Sequence, residues 1–183
     1  MDKATLRNIY KQKRREFTED QIKKLQDNIF NQLTQIDFSK AQNFHVFLTI
    51  EKQNEIDTKR IIKYLRQNNK TIIVSKSNFK NNTLTHFIFD KNTKLEVNQY
   101  GIPEPVDAIQ VDEKTIDVVF VPLLISDEQN YRVGYGKGFY DRFLNNCRKD
   151  CKKIGLNFFK PIANISDVNE FDITLDEVIY PSS

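Results

Sequence analysis

The segment Arg132-Val133-Gly134-Tyr135-Gly136-Lys137-Gly138-Phe139-Tyr140-Asp141-Arg142 concentrates more chemistry than any other stretch of the chain. Glycines at every second position leave the backbone without Cβ atoms, so its N–H groups can come close to a ligand. An apolar, strand-like run from Val118 to Ile125 precedes the segment, and a helix-like run from Phe139 to Cys147 follows it. A glycine-rich turn leading from a strand into a helix N-terminus suits an anion, because unpaired N–H groups and the helix dipole both favour negative charge. Arg132 and Lys137 bring two cations to the same place, so a phosphate-bearing ligand is the first expectation. The spacing Gly-x-Gly-x-Gly is neither the Walker A loop nor the dinucleotide fingerprint. A tight connection would account for the glycines alone. It would not need cations, aromatic rings and an acid within the same short span.

The elements that must position this loop follow from periodicity. Leu6, Ile9, Tyr10 and Phe17 have roughly helical spacing, with Asp2 placed to cap the start. Thr18-x-x-Gln21 is a capping box that opens a second helix, along which Ile22, Leu25, Ile29 and Leu33 form an apolar stripe. Strands are expected at Phe44 to Ile50, Thr71 to Ser75 and Leu84 to Asp90, with a helix from Ile56 to Gln67 between the first two. Val97 to Val111 is turn-rich, and the prolines on either side of Glu104 mark a loop. Further strands are expected at Lys153 to Phe158 and Glu177 to Tyr180. Strands alternating with helices imply an α/β layer fold with a mostly parallel sheet, here as a single domain over residues 1–183. In such sheets ligands bind at the carboxyl ends of strands, so the loops after Ile50, Ile125 and Phe158 should share one face.

Composition narrows the function classes. A net charge of +3 admits anionic small molecules without demanding nucleic acid. No apolar run is long enough to cross a membrane, and the N-terminal stretch is polar and amphipathic, so a cytoplasmic location is expected. Cys147 and Cys151 cannot complete a zinc site alone, and His45 and His86 lie far away on strand-like runs. Reduced thiols and strand histidines are the plainer readings.

Phe120-Val121-Pro122-Leu123-Leu124 through Asp127, followed by Arg132 to Leu144, resembles the signature of the 5-formyltetrahydrofolate cyclo-ligase family. Shorter matches fall in order along nearly the whole chain: Lys3-Ala4-Thr5-Leu6-Arg7, Glu55-Ile56-Asp57-Thr58, Gly101-Ile102-Pro103-Glu104-Pro105, and Asp172 with Leu175-Asp176-Glu177-Val178. The resemblance implies a three-layer α/β/α sandwich with a mostly parallel, Rossmann-like sheet. It also implies ATP- and Mg2+-dependent conversion of 5-formyltetrahydrofolate to 5,10-methenyltetrahydrofolate, releasing ADP and phosphate. Partners would then be the two small molecules, with no nucleic acid and no membrane, and the protein would work as a monomer.

By the same resemblance, Arg132, Gly134, Tyr135, Gly136, Lys137, Gly138, Phe139 and Tyr140 bind the ATP phosphates, joined by Lys3 and Arg7 from the N-terminus. Arg132 and Lys137 are the expected catalytic cations, Lys137 at the transferring phosphoryl group. Asp141 and Asp172 are the expected magnesium ligands, with Asp176 as a neighbouring rival to Asp172. Glu55 would accept the amino-pyrimidine edge of the pterin, Leu48 or Ile50 would wall that site, and Tyr135 and Lys137 would also touch the folate. Each has a plainer alternative. Lys3 and Arg7 share a helix face that could simply be solvated; Glu55 could cap the helix after it; Asp141 could merely complement a helix dipole. Two positions depart from the pattern: Asn130 replaces a glycine and tolerates a left-handed backbone, and Pro161 replaces a glutamine in a loop near substrate. Three rivals remain: a different phosphate-using α/β enzyme, a nucleic-acid module on the basic first helix, and a family member without turnover.

Overall fold

The computed structural model describes residues 1–182. Two helices open the chain, α1 (Lys3–Arg15) and α2 (Glu19–Leu33). Asp2 caps α1 by accepting the Thr5 N–H at 2.7 Å, and Thr18 and Gln21 close the expected capping box on α2. Then come β1 (Asn43–His45), α3 (Lys59–Gln67), β2 (Thr71–Asn78) and β3 (Thr83–Ile88). A small ribbon, β4 (Lys94–Val97) with β5 (Pro103–Val106), precedes the short β6 (Gln110–Val111). The second half holds β7 (Val118–Pro122), β8 (Ile125–Ser126), β9 (Arg132–Val133), α4 (Phe139–Asn146), β10 (Lys152–Leu156) and β11 (Glu177–Ile179).

The main sheet has the order β11-β10-β7-β1-β2-β3-β6. Its five strands from β11 to β2 pair in parallel, and β3 and β6 complete one edge antiparallel. Central strands are apolar on both faces, as buried parallel strands must be. Ile72, Val74, Val118 and Phe120 face a core closed by α2 and α3 through Ile29, Leu33, Ile61 and Leu65. Ile73, Val119 and Val121 face the opposite core, closed by Phe143 and Leu144 of α4. Three layers result, α/β/α. A third cluster places Leu6 and Tyr10 of α1 on Leu124, Ile125 and Val133, so the first helix lies over the β8–β9 ribbon.

Several boundaries differ from expectation for identifiable reasons. The strand expected to reach Ile50 keeps its ladder only to His45, with one further bond from Val46 N–H to Ile73 O at 2.9 Å. The helix expected from Ile56 begins at Lys59. Thr49 is the cause: its hydroxyl donates to Ile56 O (2.9 Å) and accepts the Thr58 N–H (3.1 Å), engaging backbone that the first turn would use. The run Val118 to Ile125 splits into β7 and β8, and the proline-marked loop contains a strand, β5. Pro103 and Pro105 are tolerated there because alternate positions leave both missing N–H groups on one edge of a two-stranded ribbon. Asn130 does adopt a left-handed conformation (φ 64°), turning β8 into β9. Cys147 and Cys151 are free thiols in the α4 core, and no helix of the described residues is long and apolar enough to cross a membrane.

Candidate active site

The glycine loop runs from β9 into α4 on the side of the molecule covered by α1. Arg132, almost fully buried, anchors its start: Nη2 donates to Asp141 Oδ1 at 2.6 Å, and Nη1 donates to Ile173 O. Ile173 N–H closes the triangle on Asp141 at 3.3 Å. Burial lowers the Arg132 pKa, while the facing carboxylates of Asp141 and Asp172 oppose that shift. Gly136 (φ 90°) and Gly138 (φ 70°) take backbone conformations that side chains resist. A Cβ on Gly136 would also stand 3.0 Å from the Arg7 guanidinium carbon, because Arg7 lies across the loop and donates from Nε to Gly134 O at 2.9 Å. Gly134 is different. A Cβ there would meet nothing within 4 Å, so its bareness serves neither turn geometry nor packing and opens onto space a ligand can fill.

Lys137 sits exposed at the centre of the loop and makes no ion pair among the described residues. Its carbonyl and that of Gly138 accept the Arg142 guanidinium at 3.1 Å each, which pins the backbone but leaves the ammonium uncommitted. Lys3 is committed: its ammonium pairs with Asp172, whose carboxylate also accepts the Asn169 N–H at 2.7 Å. The C-terminal segment therefore does fold back onto the loop's anchor, so that Asp172 as well as Asp141 lies near enough to act on the Arg132 charge. Each acid uses one oxygen, Oδ1 of Asp141 and Oδ2 of Asp172, for the bonds just described. The second oxygen of each accepts nothing from the described residues. These are oxygen donors of the kind Mg2+ takes, commonly one or two carboxylates with phosphate and water in its remaining positions. Asp176 points elsewhere, accepting Lys153 N–H at 2.7 Å.

Glu55 is buried in the loop between β1 and α3 and does not cap the helix, which starts four residues later. Its Oε2 accepts the Ile50 N–H at 2.8 Å. Burial pushes its pKa up, tempered by that bond, by the Tyr135 hydroxyl and by Arg14. Tyr135 and Tyr140 are correspondingly held in their neutral phenol form, chiefly by burial and then by the nearby Glu55 charge. The Glu55 charge thus lies near two tyrosines, one on the glycine loop and one at the start of α4. Leu48 lines the open cleft beside this loop, while Ile50 leads into a single turn of 3₁₀-helix. Pro161 lies in the adjoining loop, next to Ile162, whose N–H donates to Ser126 O at 2.9 Å.

The chain matches the model of the 5-formyltetrahydrofolate cyclo-ligase family over residues 1–181. The chain belongs to that family. It is accordingly a ligase of folate metabolism. Among curated cyclo-ligases, the Escherichia coli K12 protein is 29% identical over 179 residues, covering 95% of this chain and 97% of its own. The Haemophilus influenzae protein is 31% identical over 150 residues, covering 77% and 79%. The Aquifex aeolicus 5,10-methenyltetrahydrofolate synthetase superposes with a TM-score of 0.84 at 25% identity, covering 100% of this chain and 91% of that one. The Mycoplasma pneumoniae synthetase gives 0.79 at 22% identity, covering 98% of each, a likeness of fold.

Two features of this cyclo-ligase site have no motif in the sequence. Arg14, one of the cations of the basic first helix, is buried: it donates to Leu123 O and to the Tyr135 hydroxyl (3.2 Å) beside Glu55. A signal was present, since Arg14 follows Leu6 and Tyr10 at four-residue steps and so falls within the apolar stripe. The second is an aromatic bridge. Tyr100, at the tip of the β4–β5 ribbon, packs on Phe79 with ring centres 4.1 Å apart, and Phe79 meets Phe139 at 5.2 Å. Only the fold reveals that these three rings meet.

Proposed function

We propose that the protein converts 5-formyltetrahydrofolate into 5,10-methenyltetrahydrofolate with consumption of ATP, and that the glycine loop holds the ATP phosphates. The observation that carries the phosphate assignment is Gly134, a bare residue facing open space among Arg7, Lys137 and the start of α4. The formyl oxygen is a poor leaving group. Transfer of the γ-phosphoryl group to it forms an iminium phosphate; N10 then attacks the formyl carbon and loses its proton, and phosphate departs with the oxygen. Such chemistry asks a protein mainly for positioning and for stabilisation of moving charge.

Lys137 supplies a mobile ammonium to the transferring group. Arg132 holds the loop against Asp141 and the C-terminal segment, and Arg7 fixes the carbonyl edge of Gly134 so that N–H groups face the ligand. Asp141 and Asp172 would hold Mg2+ through the oxygens that Arg132 and Lys3 leave over; when bound, the ion neutralises phosphate charge. Lys3 acts through Asp172. Glu55 receives the pterin edge, with Tyr135 and Tyr140 packed about it and Leu48 as the apolar wall. On this reading the protein is a cytoplasmic, single-domain monomer acting on small molecules.

The test is near-ultraviolet absorbance of the purified protein with 5-formyltetrahydrofolate and magnesium ATP. Growth of the methenyl chromophore only when ATP is present supports the reading. Growth without ATP removes the nucleotide from the reaction, and a flat trace from folded protein sinks it altogether.

A further inference from the structure

Among the cations of α1 only Arg14 is buried: 3% of it is exposed, and it continues the inward face set by Leu6 and Tyr10. Burying a guanidinium is expensive unless its donors and its charge are both answered. Here the answer is incomplete. Nη2 donates to Leu123 O and Nη1 to the Tyr135 hydroxyl, while Nε finds no acceptor among the described residues. Neither of these partners is a carboxylate. A leucine at this position would extend the apolar stripe without those costs, so the charge has a use other than packing.

That charge faces Glu55. Of the two buried acids, Asp127 is taken up by the N–H groups of Gln129, Tyr131 and Ile165, which leaves Glu55. Arg14 and Glu55 border one narrow gap, whose other walls (Phe47, Ile56, Pro122, Leu123, Leu156) carry no charge. The Tyr135 hydroxyl stands between the two, bonded to both. Arginine can only donate, so the phenol accepts from Arg14 and has its own proton left for Glu55. The main chain repeats the link: Asn54, next to Glu55, donates from Nδ2 to Arg14 O at 3.3 Å. Glu55 is faced otherwise by the Ile50 N–H of its own loop and by the neutral phenol of Tyr140 from α4. Among the described residues Arg14 is the one cation acting on this carboxyl, and it works against the upward push of burial.

We propose that Arg14 is a positioning residue of the folate site, which through the Tyr135 hydroxyl keeps Glu55 ionised and turned so that its free lone pairs meet the donor edge of the pterin. The proposal rests on the functional reading above. A carboxylate offers about four acceptor sites. The Ile50 N–H and Tyr135 occupy two, and the rest suit a pair of adjacent N–H donors. A protonated Glu55 would set its own O–H against those donors. Removing the Arg14 charge leaves burial unopposed by any cation, so Glu55 ionises at higher pH and folate binds weakly until that pH is passed. The effect belongs to binding, and therefore to KM rather than kcat.

The experiment follows the Glu55 carboxyl by carbon NMR of glutamate-labelled protein, its signal assigned with Glu55→Gln, in the wild type, Arg14→Gln and Arg14→Lys. KM and kcat for 5-formyltetrahydrofolate are measured across the same pH range. Glutamine keeps a donor for Leu123 O or Tyr135 without the charge, and lysine keeps the charge. Arg14→Gln is expected to raise the Glu55 midpoint by about one pH unit, and KM by up to about tenfold below the new midpoint. KM recovers as pH rises, kcat holds, and Arg14→Lys restores the wild-type profile. A midpoint that loss of the charge does not move overturns the proposal, as does a KM raised equally at every pH and not rescued by lysine. If Arg14→Gln fails to fold, the other two proteins decide: Glu55 ionised at neutral pH in both supports the proposal, and Glu55 protonated in either overturns it. If the wild type neither binds nor converts the folate, the ligase reading fails, and the Glu55 titration still decides whether Arg14 holds the carboxylate.

Discussion

Cations in this site divide by what their neighbours leave them free to do. Arg132 is spent on Asp141 and Ile173 O, whereas Lys137 is tied only through its carbonyl. Substitution should separate the two roles. Lys137→Ala is expected to lower kcat by about 10²–10³-fold, as loss of a charge-stabilising donor does, with thermal stability unchanged. Steady-state rates beside a melting curve check this, and a fall in stability of similar weight would make Lys137 a structural residue. Arg132→Ala should instead cost about 2–3 kcal/mol of stability, toward the low end for a broken ion pair because Asp141 is one-third exposed. Urea unfolding measures it. The contrast between these side chains was only half legible in the sequence. Spacing put both on the glycine loop, but no one-dimensional pattern shows that residues 172–173 return to meet Arg132. Arg14 went unnoticed for a related reason: an arginine in an apolar stripe reads as surface until carbonyls and a tyrosine hydroxyl are found to satisfy it.

At the scale of elements, the loop's glycines are not equivalent. Gly136→Ala meets both a left-handed backbone and the Arg7 guanidinium, and should destabilise the fold by about 1–2 kcal/mol. Gly134→Ala meets nothing. It should leave the melting temperature within about 1 °C while raising the apparent KM for ATP about tenfold, since the added methyl occupies only ligand space. Calorimetry with ATP analogues reads this directly; unchanged nucleotide affinity would show that phosphates bind elsewhere. Long elements with strong periodicity, α2 with its capping box and the apolar β7, were visible in the sequence because local chemistry decides them. The β4–β5 ribbon was not, since its prolines signal a turn unless the partner strand is known. The end of β1 and the start of α3 were displaced by one hydroxyl, that of Thr49, which no propensity records.

The whole molecule carries a pH dependence in its core. His45 on β1 and His86 on β3 meet through Ser75 on β2, with His45 Nε2 to Ser75 Oγ at 2.7 Å and Ser75 Oγ to His86 Nδ1 at 2.9 Å. Burial holds both imidazoles neutral, pushing His86 down to about 4 and His45 well below its ordinary value; Glu113 and Asp112 oppose the shift at His86 only weakly. An unfolded chain takes up these protons near pH 6.5, while the folded one resists, so stability is complete above 6.5 and drains away as pH falls toward 4. His86 alone accounts for a loss on the order of 3 kcal/mol across that window. Melting temperatures from pH 7.5 to 4 should trace this decline, and His86→Gln should flatten it; a profile unaffected by that substitution would place the acid sensitivity in carboxylates. Spatially the histidines were out of reach of sequence reasoning, being forty-one positions apart and joined only by strand order. The order β1-β2-β3 is what brings them face to face.

Synthesis is vectorial, and Lys3 finds its partner only at Asp172. A residue made early must therefore wait for one that follows 169 positions later. Until then α1 has no clasp at its start, Arg132 lacks the Ile173 carbonyl, and Asp141 lacks the Ile173 N–H. A growing chain can form most of the central sheet and still present an unfinished phosphate site. Activity thus begins late, and a chain cut short before residue 172, which also lacks β11 and the buried Leu175 and Ile179, should be both silent and less stable than the whole.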